Sequence, residues 1–112
     1  MDKKTIIGID PGTNLLGFGV IDVISGKPVF VDMGVLDLRN EADAYSKLRQ
    51  IYDTVTEVCK TYHGTEMALE SPFYGKNAQV ILKLGRAQGA AMLAALEYGI
   101  TDIREYALRE AK

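Results

Sequence analysis

The residues of this chain best suited to chemistry are two acids and a small group of cations and aromatics. Asp10 closes the apolar, β-branched run Thr5-Ile6-Ile7-Gly8-Ile9 and is followed at once by Pro11 and Gly12. Glu70 closes the run Glu66-Met67-Ala68-Leu69 and is followed by Ser71 and Pro72. An acid ending an apolar strand lies at the carboxyl edge of a sheet, where open α/β sheets place their sites. If the two strands are neighbours, the carboxylates converge. Two bare carboxylates at close range repel, and one takes up a proton. A divalent cation removes that penalty, and hard oxygen donors suit Mg²⁺, with Mn²⁺ as a substitute. Taken singly, each acid has a plainer reading: Asp10 can cap its own turn, and Glu70 can be a solvated strand end. Only the pairing points to metal-dependent chemistry.

The second group lies just beyond Glu70. From Ser71 to Gly89 the chain carries Lys76, Lys83 and Arg86 and no acid. Phe73 and Tyr74 precede these cations on a glycine-containing loop. Cations interleaved with loop aromatics suit phosphate contact combined with base stacking. The same pattern also suits a solvated helix face with two aromatics folded into the core. His63, the only histidine, falls beside an expected helix end, where an imidazolium meets the helix dipole favourably. Cys59 reads as a small core residue, and Met33, Met67 and Met92 read as packing residues.

The expected elements that position these side chains follow from hydrophobic period. Three strand-like runs come first, at Thr5 to Ile9, Leu16 to Ile24 and Val29 to Leu38, and the short connections imply an antiparallel meander. Tyr45, Leu48, Ile51, Tyr52, Val55, Val58, Cys59 and Tyr62 then recur at three- and four-residue steps, which predicts a helix capped by Gly64. The run ending at Glu70 is the fourth strand, parallel to the strand it joins because a helix precedes it. Asn77 is the expected N-cap of a second helix reaching to about Tyr98, apolar almost all round, with Gly85 and Gly89 one turn apart. Such a helix belongs at the centre of the core or under a partner subunit. A fifth strand is expected from Thr101 to Tyr106. The order β-β-β-α-β-α-β defines an α/β fold with a mixed sheet, ending at Lys112 where a covering helix is expected.

Composition agrees with one folded domain. The 112 residues include 13 basic and 15 acidic side chains, a formal charge of −2, with 47% hydrophobic and 25% charged residues. That balance argues against disorder and against a generally basic nucleic-acid coat, though not against a local basic patch. A single cysteine excludes a disulfide framework and a cysteine-rich zinc site. No run approaches the roughly 20 apolar residues that span a bilayer. The first residues do not form a signal segment, so no membrane contact and a cytoplasmic location are expected.

Ile7-Gly-Ile-Asp-Pro-Gly-Thr13 followed by Gly17-Phe-Gly-Val20 resembles the opening motif of the RuvC-type Holliday-junction resolvases. Ala68-Leu-Glu-Ser-Pro-Phe-Tyr-Gly-Lys-Asn77, then Leu82-Lys-Leu-Gly-Arg-Ala-Gln-Gly89, resembles that family's second block, and Glu105 to Lys112 resembles the entry to its third. The first block alone is shared with sugar kinases and actin-like ATPases; the second is specific. The resemblance implies a ribonuclease-H-like fold and a Mg²⁺-dependent endodeoxyribonuclease. That enzyme works as a homodimer on four-way junction DNA, in recombination and repair, alongside a branch-migration helicase complex. It also implies that Asp10 and Glu70 are the first two of four catalytic, metal-holding carboxylates. Phe73 matches an aromatic placed near the junction centre, and Tyr74, Lys76, Asn77, Lys83 and Arg86 fall among DNA-facing positions. The family's other two aspartates lie on a C-terminal helix beyond Lys112. Asp102, the last Asp, precedes the fifth strand and cannot replace them. On this resemblance residues 1–112 are one domain, about the N-terminal two-thirds of the catalytic domain, with little or no cleavage activity alone. Two other readings remain open: an actin- or kinase-like nucleotide binder using Asp10 and the Gly12-Thr13 turn, and a non-catalytic DNA-binding module of nuclease-like fold.

Overall fold

The first strand, β1, spans Lys3–Pro11 and alternates strictly: Thr5, Ile7, Ile9 and Pro11 are buried, while Asp10 is exposed. This period of two gives the strand a core face and an open face. It comes from a computed structural model that describes residues 2–71 and 77–107. β2 (Leu15–Ile24) and β3 (Lys27–Asp37) continue as an antiparallel meander. After α1 (Ala44–Tyr62), β4 (Glu66–Ser71) enters parallel to β1. After α2 (Ala78–Tyr98), β5 (Asp102–Ala107) enters parallel to β4. The sheet order is β3-β2-β1-β4-β5, so the two acid-bearing strands are central neighbours, which meets the condition left open by the sequence.

Both helices cover one face of this sheet. Ile7 and Ile9 of β1, Leu16 and Val20 of β2, and Met67 and Leu69 of β4 pack with Ile51, Val55 and Cys59 of α1 and with Ala87, Ala91, Ala94 and Ala95 of α2. The alanines let α2 lie close to the sheet and to α1. Helix boundaries follow local chemistry. Asp43 caps α1 by accepting from the backbone N–H groups of Tyr45 and Ser46. Asn77 Oδ1 accepts from Val80 N–H at 2.9 Å and starts α2, as expected from its type. Gly99, at φ 120°, ends α2.

Several expectations are corrected. Asp10 does not stand in a turn. It lies inside β1, paired with Gly17, and Pro11 still pairs with Leu16. Pro11 is tolerated in a central strand because the pairing of β1 with β4 has already stopped at Ile9↔Leu69, so no partner strand needs its missing N–H. The left-handed cap residue of α1 is His63, at φ 55°, rather than Gly64. Gly64 is needed for space instead: a Cβ there would stand 2.8 Å from Ile7 Cγ1 and 3.2 Å from Ile100 Cδ1. Met67 is buried, but Met33 is 68% exposed on the face opposite the helices, so only the first is core. Asp102 is the first residue of β5 rather than a residue before it.

Candidate active site

Asp10 and Glu70 sit side by side at the carboxyl ends of two parallel central strands. The last paired residues are Ile9 and Leu69, and the acids are the next residue on each strand. Because Ile9 and Leu69 face the core, alternation sends both acids to the open face. They share one groove there, lined also by Gly8, Gly17, Gly19 and Ala68. These small residues leave bare backbone around the carboxylates. At Gly17, directly opposite Asp10 across the ladder, a Cβ would meet the Asp10 Cβ at an ordinary contact distance of 3.8 Å, so the glycine leaves open the space beside the acid that a side chain would occupy. The period-two spacing of Gly17 and Gly19 carries this signal, read in the sequence only as part of a motif.

The electrostatics agree with a charge-demanding pair. Burial first, and then the Asp10 charge and a hydrogen bond to its carboxyl, hold the Glu70 carboxyl above its ordinary range. A hard divalent cation fits this donor set, since it would neutralise the repulsion and accept oxygens from both sides. Among the described residues no group of three or more His, Cys, Asp or Glu side chains converges, so an ion held here would draw two protein ligands from them and keep several waters.

The cations lie around the corner of the same edge. Lys83 and Arg86 are exposed on α2 and line a cleft of about 440 Å³ with Gly12, Thr13 and Asn14 of the β1–β2 turn. Lys47, on the first turns of α1, lines it too and donates to Asn14 Oδ1 at 3.3 Å. Sequence reasoning missed Lys47, because the residues that make it part of this cleft are 33 positions away. It also missed Tyr106, which pairs with Glu70 across β4 and β5 and lines the acidic groove. Phe73, Tyr74 and Lys76 lie outside the described residues. Asn77 is placed, with its carboxamide oxygen committed to the α2 cap.

A mixed five-stranded sheet with two helices on one face and paired acids on its two central parallel strands is an α/β domain of ribonuclease-H-like fold. The yeast mitochondrial Holliday junction resolvase Ydc2 has the same fold, with a TM-score of 0.62 at 10% identity. The family model for crossover junction endodeoxyribonuclease RuvC matches residues 6–112, and the chain belongs to that family. The RuvC of Bacteroides fragilis is 50% identical over 105 residues, covering 94% of this chain and 55% of that protein. The RuvC of Porphyromonas gingivalis is 46% identical over 105 residues, again covering 94% and 55%. The structure of Thermus thermophilus RuvC in complex with Holliday junction substrate superposes with a TM-score of 0.81 at 27% identity, over 93% of this chain and 64% of that one. The chain thus spans little more than half the length of these bacterial relatives.

Proposed function

We propose that this chain is the part of a structure-selective endodeoxyribonuclease that carries the first two catalytic carboxylates, acting on four-way DNA junctions. The convergence of Asp10 and Glu70 on a small-residue floor, in a chain of the RuvC family, supports this reading best. The reaction is hydrolysis of a phosphodiester. The oxygen of a water forms a bond to phosphorus, the P–O3′ bond breaks, and a 3′ hydroxyl and a 5′ phosphate remain. Asp10 and Glu70 would hold Mg²⁺ or Mn²⁺, which when bound supplies charge neutralisation at the phosphate and acidifies a water. Asp10 is exposed and Glu70 half-buried, so Asp10 would be the ligand more open to substrate and Glu70 the one held more firmly by the sheet. Gly8, Gly17 and Gly19 leave room for a sugar-phosphate backbone to approach. Lys83 and Arg86 would take flanking phosphates, and Phe73 and Tyr74 would stack on unpaired bases at the junction.

The proposal extends to assembly. A two-fold junction cut in two strands calls for a two-fold enzyme. The exposed face of α2 carries Leu82, Leu93 and Leu96, and a Cβ built at Gly85 or Gly89 would meet nothing within 4 Å. This open apolar stripe fits a second copy of the same helix. The family resemblance adds a branch-migration helicase complex as partner. Among the described residues, no helix is long and apolar enough to cross a membrane.

The test is binding and cleavage of a synthetic four-way junction and of a matched linear duplex, with Mg²⁺, by the full-length protein. Preference for the junction, with cleavage abolished by Asp10→Asn and by Glu70→Gln while binding persists, is the expected result. Junction binding without cleavage would leave the non-catalytic module, and cleavage insensitive to both substitutions would overturn the assignment of the pair.

A further inference from the structure

Gln88 is one of two polar side chains buried among the described residues, at 3% exposure, and it is used on the acidic edge. It projects from the middle of α2, and its Nε2 donates to the Glu70 backbone carbonyl at 2.9 Å. The location has a reason. The pairing of β4 with β1 ends at Leu69, so Glu70 has left the β1 ladder while it must still stand beside Asp10. Only β5 continues alongside, pairing Glu70 with Tyr106. A strand end held on one side alone swings when its side chain carries a charge that repels its neighbour. A buried polar side chain is unfavourable unless hydrogen-bonded, and an apolar residue would fill this core position at no such cost. The donor therefore has a task that packing does not explain.

We propose that Gln88 is a positioning residue for the metal-holding pair: it stands in for the missing ladder partner and fixes the Glu70 backbone so that its carboxylate stays within reach of an ion held by Asp10. This rests on the reading of Asp10 and Glu70 as cation ligands. It predicts a coupling from the helix layer to the open face of the sheet, through one hydrogen bond. Outer partners that orient metal ligands commonly change metal affinity by about 10-fold or more when removed.

The test is a double-mutant cycle on Mn²⁺ affinity, read by the EPR signal of the free ion, for the unmodified chain, Gln88→Leu, Glu70→Gln and the double variant. Gln88→Leu should weaken Mn²⁺ binding about tenfold when Glu70 is present and hardly at all in the Glu70→Gln background. Equal loss in both backgrounds, or none in either, would overturn the proposal. A second measurement uses the unmodified chain labelled with ¹³C and ¹⁵N, where a through-hydrogen-bond coupling should link the Gln88 side-chain nitrogen to the Glu70 carbonyl carbon. If Gln88→Leu does not fold, that coupling decides: its absence, or its indifference to added Mn²⁺, ends the positioning role, and its strengthening when Mn²⁺ binds sustains it; Glu70→Gln alone leaving Mn²⁺ affinity unchanged overturns the metal reading and this proposal with it.

Discussion

At the residue scale the account turns on how two like charges coexist. Glu70 is held above its ordinary range by burial and by Asp10, so the folded state binds its proton more tightly than the unfolded state does. The sign follows from linkage: the stability contribution is full below the unfolded carboxylate range and is lost as pH rises through the raised folded value. Without a divalent ion, the unmodified chain should therefore lose stability relative to Glu70→Gln as pH climbs out of the acid range. Adding Mg²⁺ at neutral pH should restore stability to the unmodified chain and leave Glu70→Gln unmoved. A thermal melt series across pH, with and without Mg²⁺, checks both. Cys59 makes a separate prediction. Burial pushes its thiol up to about 11, so it should react with a disulfide reagent only when the chain unfolds.

At the element scale the glycines and caps set where the acids stand. Gly64 lets the α1–β4 connection pass against Ile7, two residues from Ile9. Gly64→Ala should destabilise the chain by about 1–3 kcal/mol in denaturant melts, because the new methyl meets packed side chains. Asn77→Ala removes the α2 cap and should cost about 1 kcal/mol. Lys83→Ala and Arg86→Ala should weaken junction binding alike across DNA sequences, and each should lower the salt slope by about 1. The element order, the helix spans and the Asn77 cap were legible because hydrophobic period and capping chemistry are local. The pairing of Asp10 with Glu70 was legible only as a condition, since both acids end apolar runs but the neighbour of the fourth strand is chosen by tertiary packing. The role of His63 was not legible: an αL cap is usually glycine, and here Gly64 is taken by a close approach to residues far away in the sequence. Lys47 and Gln88 were hidden for the same reason, because their partners Asn14 and Glu70 are set by tertiary packing. Met33 was misplaced because a β strand with one open face carries apolar residues on both of its sides.

At the scale of the whole molecule, the helix layer and the open face have different work. One face of the sheet is closed by α1 and α2, while Phe30, Met33 and Val35 stand about two-thirds exposed on the other, beside the acidic groove. The outer face of α2 presents its own apolar stripe, which the proposed function assigns to a second copy. A stable dimer buries about 1,200 Å² or more, so adding charge at the stripe centre should separate the copies. Sedimentation equilibrium should show the unmodified chain associating and Leu93→Glu remaining monomeric at the same concentration, with an unchanged circular dichroism spectrum; monomer in both would remove the stripe as the interface. The most direct test of the central claim is anomalous diffraction from a crystal of this chain soaked in Mn²⁺. A manganese peak within coordination distance of carboxylate oxygens from both Asp10 and Glu70 is the predicted result. Full manganese occupancy elsewhere, with the Asp10 and Glu70 carboxylates turned apart and no peak between them, would contradict it.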